Sequence, residues 1–255
     1  MKFWRQRKVG KTSADYNGSM KKQILEIIFA RFENWSKQFG FACNKGCSVC
    51  CTTDVSITAP EGELLLDYIL RQHGVAWLSD KLDTTPIHRP LSQTTNEFAK
   101  ACLEGREVEV NEKRLGGVCP FLVENICTVY PARPFSCRCF ASTICCRHGG
   151  NALLPPEYLS AATAVSQIIE HLGQFSLWGT LLDVVTLQAA AAGHISDRDL
   201  HQESLAAARG NCLTARPLPG FLIEDTVADQ VIPLLEEIFA SPIDGRSVEE
   251  VLNNR

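Results

Sequence analysis

The sequence predicts a mainly α-helical protein whose N-terminal half is stapled by cysteine-bound metal, carries a short β-hairpin and packs on a helical C-terminal half. Three observations predict this. Apolar residues recur at three- and four-residue steps before the first cysteine and again from about Pro156 onward. Eleven of the 12 cysteines fall between Cys43 and Cys146. Within that stretch only one pair of short, adjacent β-like arms stands out.

Composition sets the outer bounds. With 255 residues, 45% of them hydrophobic and 21% charged, the chain is long enough for a sizeable core and too apolar for intrinsic disorder. A net charge of −4 argues against a general nucleic-acid binder. The longest apolar stretch, residues 177–193, carries Asp183 and falls short of the ~20 residues that cross a bilayer. It reads as a buried helix, and no contact with a membrane is expected. The basic N-terminus is not followed by an apolar run, so no secretory signal is expected and the chain is placed in the cytoplasm. Thiols stay reduced there, which favours metal binding over a disulfide framework.

Three regions follow: a flexible basic tail over 1–18, a cysteine-cluster metal-binding domain over 19–150, and a helical region over 151–255. A helix begins at Lys21, with Ile24, Ile27, Ile28, Phe32 and Trp35 on one face, and ends near Gly40. After the first cysteines, residues 55–58 (VSIT) form a short β-like run. Ala59, Pro60 and Glu61 then open a second helix whose apolar face is Leu64, Leu65, Tyr68 and Ile69. Pro86, Pro90 and several threonines make 80–95 mostly loop, and 96–105 a short helix. Residues 119–130 predict a hairpin, with arms at 121–123 and 126–129 and Glu124-Asn125 as the turn. Pro131 and Pro134 hold the following residues out of regular structure. Helices are expected near 156–172, 176–192, 197–208, 226–239 and 247–253, with a break at 216–220.

The cysteines fall into two clusters. In CNKGCSVCC, the gaps let one turning loop aim Cys43, Cys47 and Cys50 at a common centre while Cys51 faces elsewhere, with Gly46 free to take a positive φ. The second cluster holds Cys119, Cys127, Cys137, Cys139, Cys145 and Cys146. The hairpin brings Cys119 and Cys127 together. Ten thiols exceed the four of one tetrahedral site. A four-thiolate zinc, or an oxidised cubane, carries a charge of about −2. Lys45, Arg133, Arg138 and Arg147 lie beside the cysteines in sequence, where they would offset that charge or simply face solvent.

CNKGCSVCC, then CPFL, then the run from Cys127 to Arg138 (CTVYPARPFSCR) resembles the CxxCxxCC, or YkgJ-like, cysteine-cluster family, described as zinc- or iron-chelating. The resemblance covers residues 40–140. It implies Cys43, Cys47, Cys50, Cys51, Cys119, Cys127 and Cys137 as metal ligands, with an iron–sulfur cluster or zinc as the bound group. Here the first gap is three residues where many relatives have two, and Cys139, Cys145 and Cys146 are additions. His148, close by in CCRH, is a further candidate ligand.

The spacing matches neither paired zinc-ribbon knuckles nor a ferredoxin. An adjacent pair of cysteines and seven or more candidates suit a polynuclear cluster or two sites, which favours iron–sulfur over zinc. Cys43-x3-Cys47-x2-Cys50 also has the spacing of radical S-adenosylmethionine enzymes, but the repeated strand–helix units of their barrels are not expected here. An S-adenosylmethionine-dependent protein-lysine methylase is an alternative function, since flagellin lysine N-methylases resemble the same family. The lack of a G-x-G-like loop counts against it. A structural zinc module for protein association is a third. Cys102 and Cys212 read as buried small side chains, His73, His88, His171, His194 and His201 as ordinary helix-end or loop residues, and Glu61 and Glu63 as helix-start acids.

Overall fold

The computed structural model describes residues 18–83, 91–108, 116–146, 151–196 and 202–253. The basic tail up to residue 17, the loop residues 84–90, Arg147, His148, the expected helix start at 197–201, His88 and His201 lie outside the described residues.

Helix α1 (Gly18–Ser36) starts three residues before the apolar period marks it, and Ser36 Oγ turns back to Glu33 O at 2.9 Å where it stops. Strand β1 (Ser56–Thr58) runs straight into α2 (Ala59–Gln72). There the Glu61 carboxylate accepts the Thr58 N–H and Oγ–H, at 2.9 and 3.0 Å. Pro60 sits in the first turn, where its missing N–H costs no bond. Helix α3 (Val75–Asp83) corrects the expected loop over 80–95: residues 80–83 are its last turn, because Leu78 and Leu82, four apart, both bury. Helix α4 (Thr95–Leu103) opens on a reciprocal Thr94–Glu97 cap.

Strands β2 (Leu122–Val123) and β3 (Ile126–Cys127) make the expected hairpin, with Glu124 (φ 50°) and Asn125 (φ 63°) both left-handed in its two-residue turn. The second arm is regular only to Cys127, with Thr128 still donating N–H and Oγ–H to Phe121 O, and it stops short of Val129 because Val129 leads into the 3-10 turn that follows. A 3-10 turn (Tyr130–Ala132) and helix α5 (Phe135–Cys139) replace the irregular stretch expected around the prolines. Pro131 opens the turn and Pro134 immediately precedes the helix, positions where a proline breaks no helical bond.

Helix α6 (Pro156–Leu172) lies where it is expected. The helix expected over 176–192 is instead strand β4 (Leu177–Thr180) followed by α7 (Leu181–Ala191), with Thr180 Oγ accepting the Asp183 N–H at 3.2 Å. Helix α8 (Gln202–Asn211), strand β5 (Leu213–Thr214), a 3-10 turn (Asp225–Val227), α9 (Ala228–Ala240), the β6 (Pro242–Ile243) and β7 (Arg246–Ser247) pair, and α10 (Val248–Leu252) complete the chain. The main sheet has the order β1-β4-β5, with both pairings antiparallel. Helices α2 and α7 leave opposite ends of the antiparallel β1–β4 pair and pack on each other, and Gly62 makes their close approach possible: a methyl group there would run into the Val184 and Gln188 side chains.

Two apolar cores result. The first joins α1, α6, α9 and α10 around Ile24, Ile28, Phe32, Val165, Ile168 and Leu234. The second lies among β1, α2, α3 and α7, and takes in Phe121 and Val129 from either side of the hairpin. No helix among the described residues is long and apolar enough to cross a membrane.

Candidate metal centre

The first cysteine loop is two tight turns in succession. Cys47 N–H donates to Asn44 O at 2.9 Å, with Gly46 at φ 85°, and Cys51 N–H donates to Ser48 O at 3.0 Å. The loop then pairs with the second cluster. Cys119 N–H donates to Cys51 O and Thr53 N–H to Gly117 O, each at 3.0 Å, around an antiparallel bridge between Thr52 and Val118. Ser48 Oγ reaches the hairpin turn at Asn125 Oδ1, 2.9 Å away. Two cysteine clusters far apart in sequence are thereby held together by backbone.

Hairpin and α5 carry Cys119, Cys127 and Cys137 to the edge of the second core, where all three are half-buried. Phe121 anchors the hairpin against Trp77, ring centroids 5.7 Å apart. Helix α5 is seated by Phe135, which meets Phe32 edge-on at 4.8 Å. Its first N–H donates to Glu61 Oε1 at 2.8 Å, Ser136 Oγ donates to Ser56 O at 2.8 Å, and Tyr158 OH donates to Cys139 O at 3.2 Å. Glu61, expected to be an ordinary helix-start acid, thus ties α2 to the cysteine-bearing helix. Sequence spacing gives no sign of that.

Residues 142–146 make a third piece. Buried Ser142 accepts through Oγ the N–H groups of Ile144 (3.2 Å) and Leu153 (3.1 Å), and its carbonyl accepts Ala42 N–H at 2.8 Å. Cys145 and Cys146 are thereby set against the first loop, where they line one concavity with Cys43, Cys47 and Ile144.

Thiol electrostatics follow this layout. Burial raises Cys43, and the charges of Cys47, Cys50 and Cys146 add to it. The Cys51 thiol donates to Cys50, which holds Cys50 below and Cys51 above the ordinary range. Burial and the charges of Cys137 and Cys119 push Cys51 up further. Burial pushes Cys119 up to about 11, with the Cys127 charge adding to it. It also raises Cys127, against the pull of the Arg133 guanidinium. Cys137 is raised by burial, then by Cys119, Cys127, Cys139 and Glu61. Burial takes Cys139 up to about 12, with Glu61 and Cys50 adding to it. Thiols so raised keep their protons at neutral pH unless a cation displaces them.

The arginines beside the cysteines are engaged. Arg138 donates to Arg133 O and Pro131 O, both at 2.9 Å, and lies over the Phe29 ring at 4.4 Å. Arg133 lies 3.8 Å from the Tyr130 ring centroid, but its Nε is buried and finds no acceptor among the described residues. Lys45 is exposed. Among the described residues, no three His, Cys, Asp or Glu side chains are set, as they stand, to hold one metal ion. What fits a thiolate-bound metal is the donor chemistry: soft sulfur ligands from three segments, and an orphaned guanidinium nitrogen on the residue whose charge reaches Cys127.

Elsewhere, Cys212 packs half-buried on the second core and Cys102 is half-buried on α4. His73 stacks on Trp77 at 4.2 Å, and His171 Nδ1 accepts Leu218 N–H at 3.2 Å. Compared with family models, with curated proteins and with solved structures, the chain matches none.

Proposed function

We propose that the chain is a metal-binding protein of the YkgJ-like kind, holding an iron–sulfur cluster, or zinc in its place. The thiolates come from Cys43, Cys47, Cys50, Cys51, Cys119, Cys127 and Cys137, and the role is redox or sensing in a cytoplasmic setting. The observation that carries this reading is the antiparallel pairing of residues 51–53 with 117–119, which puts the two cysteine clusters side by side. Arg133 supports it: a thiolate centre of net negative charge gives the buried Nε–H the counter-charge it lacks.

In this reading the chain's residues do three things. The two turns at 44–51 and the segment around the hairpin carry sulfurs from two backbone-paired stretches. Glu61, Phe135 and Tyr158 fix the helix that carries Cys137 and Cys139. Arg133 and Arg138 supply positive charge beside the sulfurs. A bound cluster supplies one-electron transfer, whereas zinc supplies a rigid cross-link.

The test is iron, zinc and acid-labile sulfide per chain, in protein purified without oxygen. About four iron with matching sulfide, lost in Cys119→Ser and in Cys127→Ser, is the expected result. A chain that carries neither metal overturns the reading.

A further inference from the structure

The ten clustered thiols do not form one group. Cys43, Cys47, Cys145 and Cys146 surround a single concavity between the first loop and residues 142–146. Cys119, Cys127 and Cys137 sit instead at the edge of the second core, and Cys51 is joined to them through its carbonyl bond to Cys119 N–H. We propose that the chain holds two separate thiolate-bound centres, and that Cys43, Cys47, Cys145 and Cys146 form a second site for a soft cation of the Zn2+ class. This rests on the metal-binding reading above, moves Cys43 and Cys47 of its ligand set to the second centre, and adds Cys145 and Cys146, which lie outside that set.

Three observations support it. The concavity is built by fixed backbone: Ala42 N–H donates to Ser142 O at 2.8 Å, and Ser142 Oγ pins the far side through Ile144 and Leu153. Thr143 donates to Leu153 O from both N–H and Oγ, at 2.9 and 3.1 Å, so the 142–146 turn is braced at its base. The set also has the right number and kind of donors, four sulfurs for a tetrahedral ion. Cys43 Sγ is directed at Ser142 O (4.0 Å) and Cys146 Sγ at Ile144 O (3.7 Å), and rotation about χ1 is the freedom each thiol has to leave that contact for an ion.

Metal content, read as iron plus zinc per chain, is compared in the wild type, Cys145→Ser/Cys146→Ser and Cys119→Ser/Cys127→Ser. Each double variant is expected to lose part of the metal and keep the rest, with the two losses adding up to the wild-type content. Adding Zn2+ alone to the Cys145→Ser/Cys146→Ser protein restores none of its loss. Cys145 is exposed and Cys146 half-buried, so the fold tolerates serine there, and Cys145→Ser alone gives the same partial loss with helix content unchanged by circular dichroism. Full wild-type metal in Cys145→Ser/Cys146→Ser, or an empty chain in either double variant, overturns two centres. A wild type without metal instead overturns the underlying metal-binding reading.

Discussion

In the helical body, Ile24, Leu25, Ile28, Val165, Val231 and Ile238 are each fully buried, on helices of 13 to 19 residues. At the cysteine end the regular elements are two to five residues long. There Val49, Val118, Val123, Ile126 and Tyr130 face solvent, Val118 with 76% of its surface exposed. Each large apolar side chain buried in the body contributes ~1.5–3 kcal/mol. A backbone bond such as Cys119 N–H to Cys51 O contributes a net ~0.5–1.5 kcal/mol, against ~1–2 kcal/mol to order each residue it holds. The body is therefore held by burial. The cysteine end buries Phe121, Val129 and Phe135 but leaves the five side chains above outside, and in the proposed reading a metal cross-link supplies what burial does not.

The joint between the two regions is where this contrast breaks most readily. Phe135 belongs to the aromatic cluster of the body, with Phe32 at 4.8 Å and Phe29 at 6.3 Å, and it begins the helix that carries Cys137 and Cys139. Phe135→Ala is expected to cost about 3–5 kcal/mol by denaturant unfolding and to lower metal content as well. If it costs stability but leaves metal content whole, the two regions are less connected than described here.

Glu61 gives a smaller and sharper test. Glu61→Ala strips the acceptor from the Thr58 and Phe135 N–H groups, a loss of about 1–3 kcal/mol. Glu61→Gln is expected to lose less, since one amide oxygen still accepts while the NH2 faces a donor. Equal midpoints for both variants would count against a hydrogen-bonding role.

The smallest expected effect is a pH dependence confined to the body. Burial lowers the pKa of His171, and its Nδ1 accepts Leu218 N–H, which requires the neutral ring. The folded pKa lies below the unfolded value of ~6.5, so the stability it contributes is present above that pH and lost as pH falls through it. The thermal midpoint of the helices should drop between about pH 7.5 and about pH 5.5. His171→Asn should flatten the slope, and an unchanged slope assigns it to other groups.

Legibility in the sequence divides along the same line. Helices α1, α2, α4 and α6 could be read because apolar period and capping residues are local signals. Strand β4 could not: its residues (LWGT) run into those of α7 as one apolar stretch, and only pairing with β1 and β5, far away in the chain, makes it extended. Helix α5 was masked by its flanking prolines. For the cysteines, spacing suggests that Cys51 faces away from its loop partners, whereas its thiol donates to Cys50, one of them, while also lying within reach of the Cys137 and Cys119 charges. Which thiols share a place was not readable, because it depends on the Thr52–Val118 pairing and on the Ser142 turn, contacts between segments remote in sequence.

In the proposed reading bound metal, not burial, fixes the cysteine end. Amide hydrogen exchange before and after a chelator strips the metal tests it most directly. The N–H groups of Thr53 and Cys119, and those of the hairpin, are expected to lose protection while those of α1, α6 and α9 keep theirs. Protection unchanged at the cysteine end after the metal is gone would contradict it.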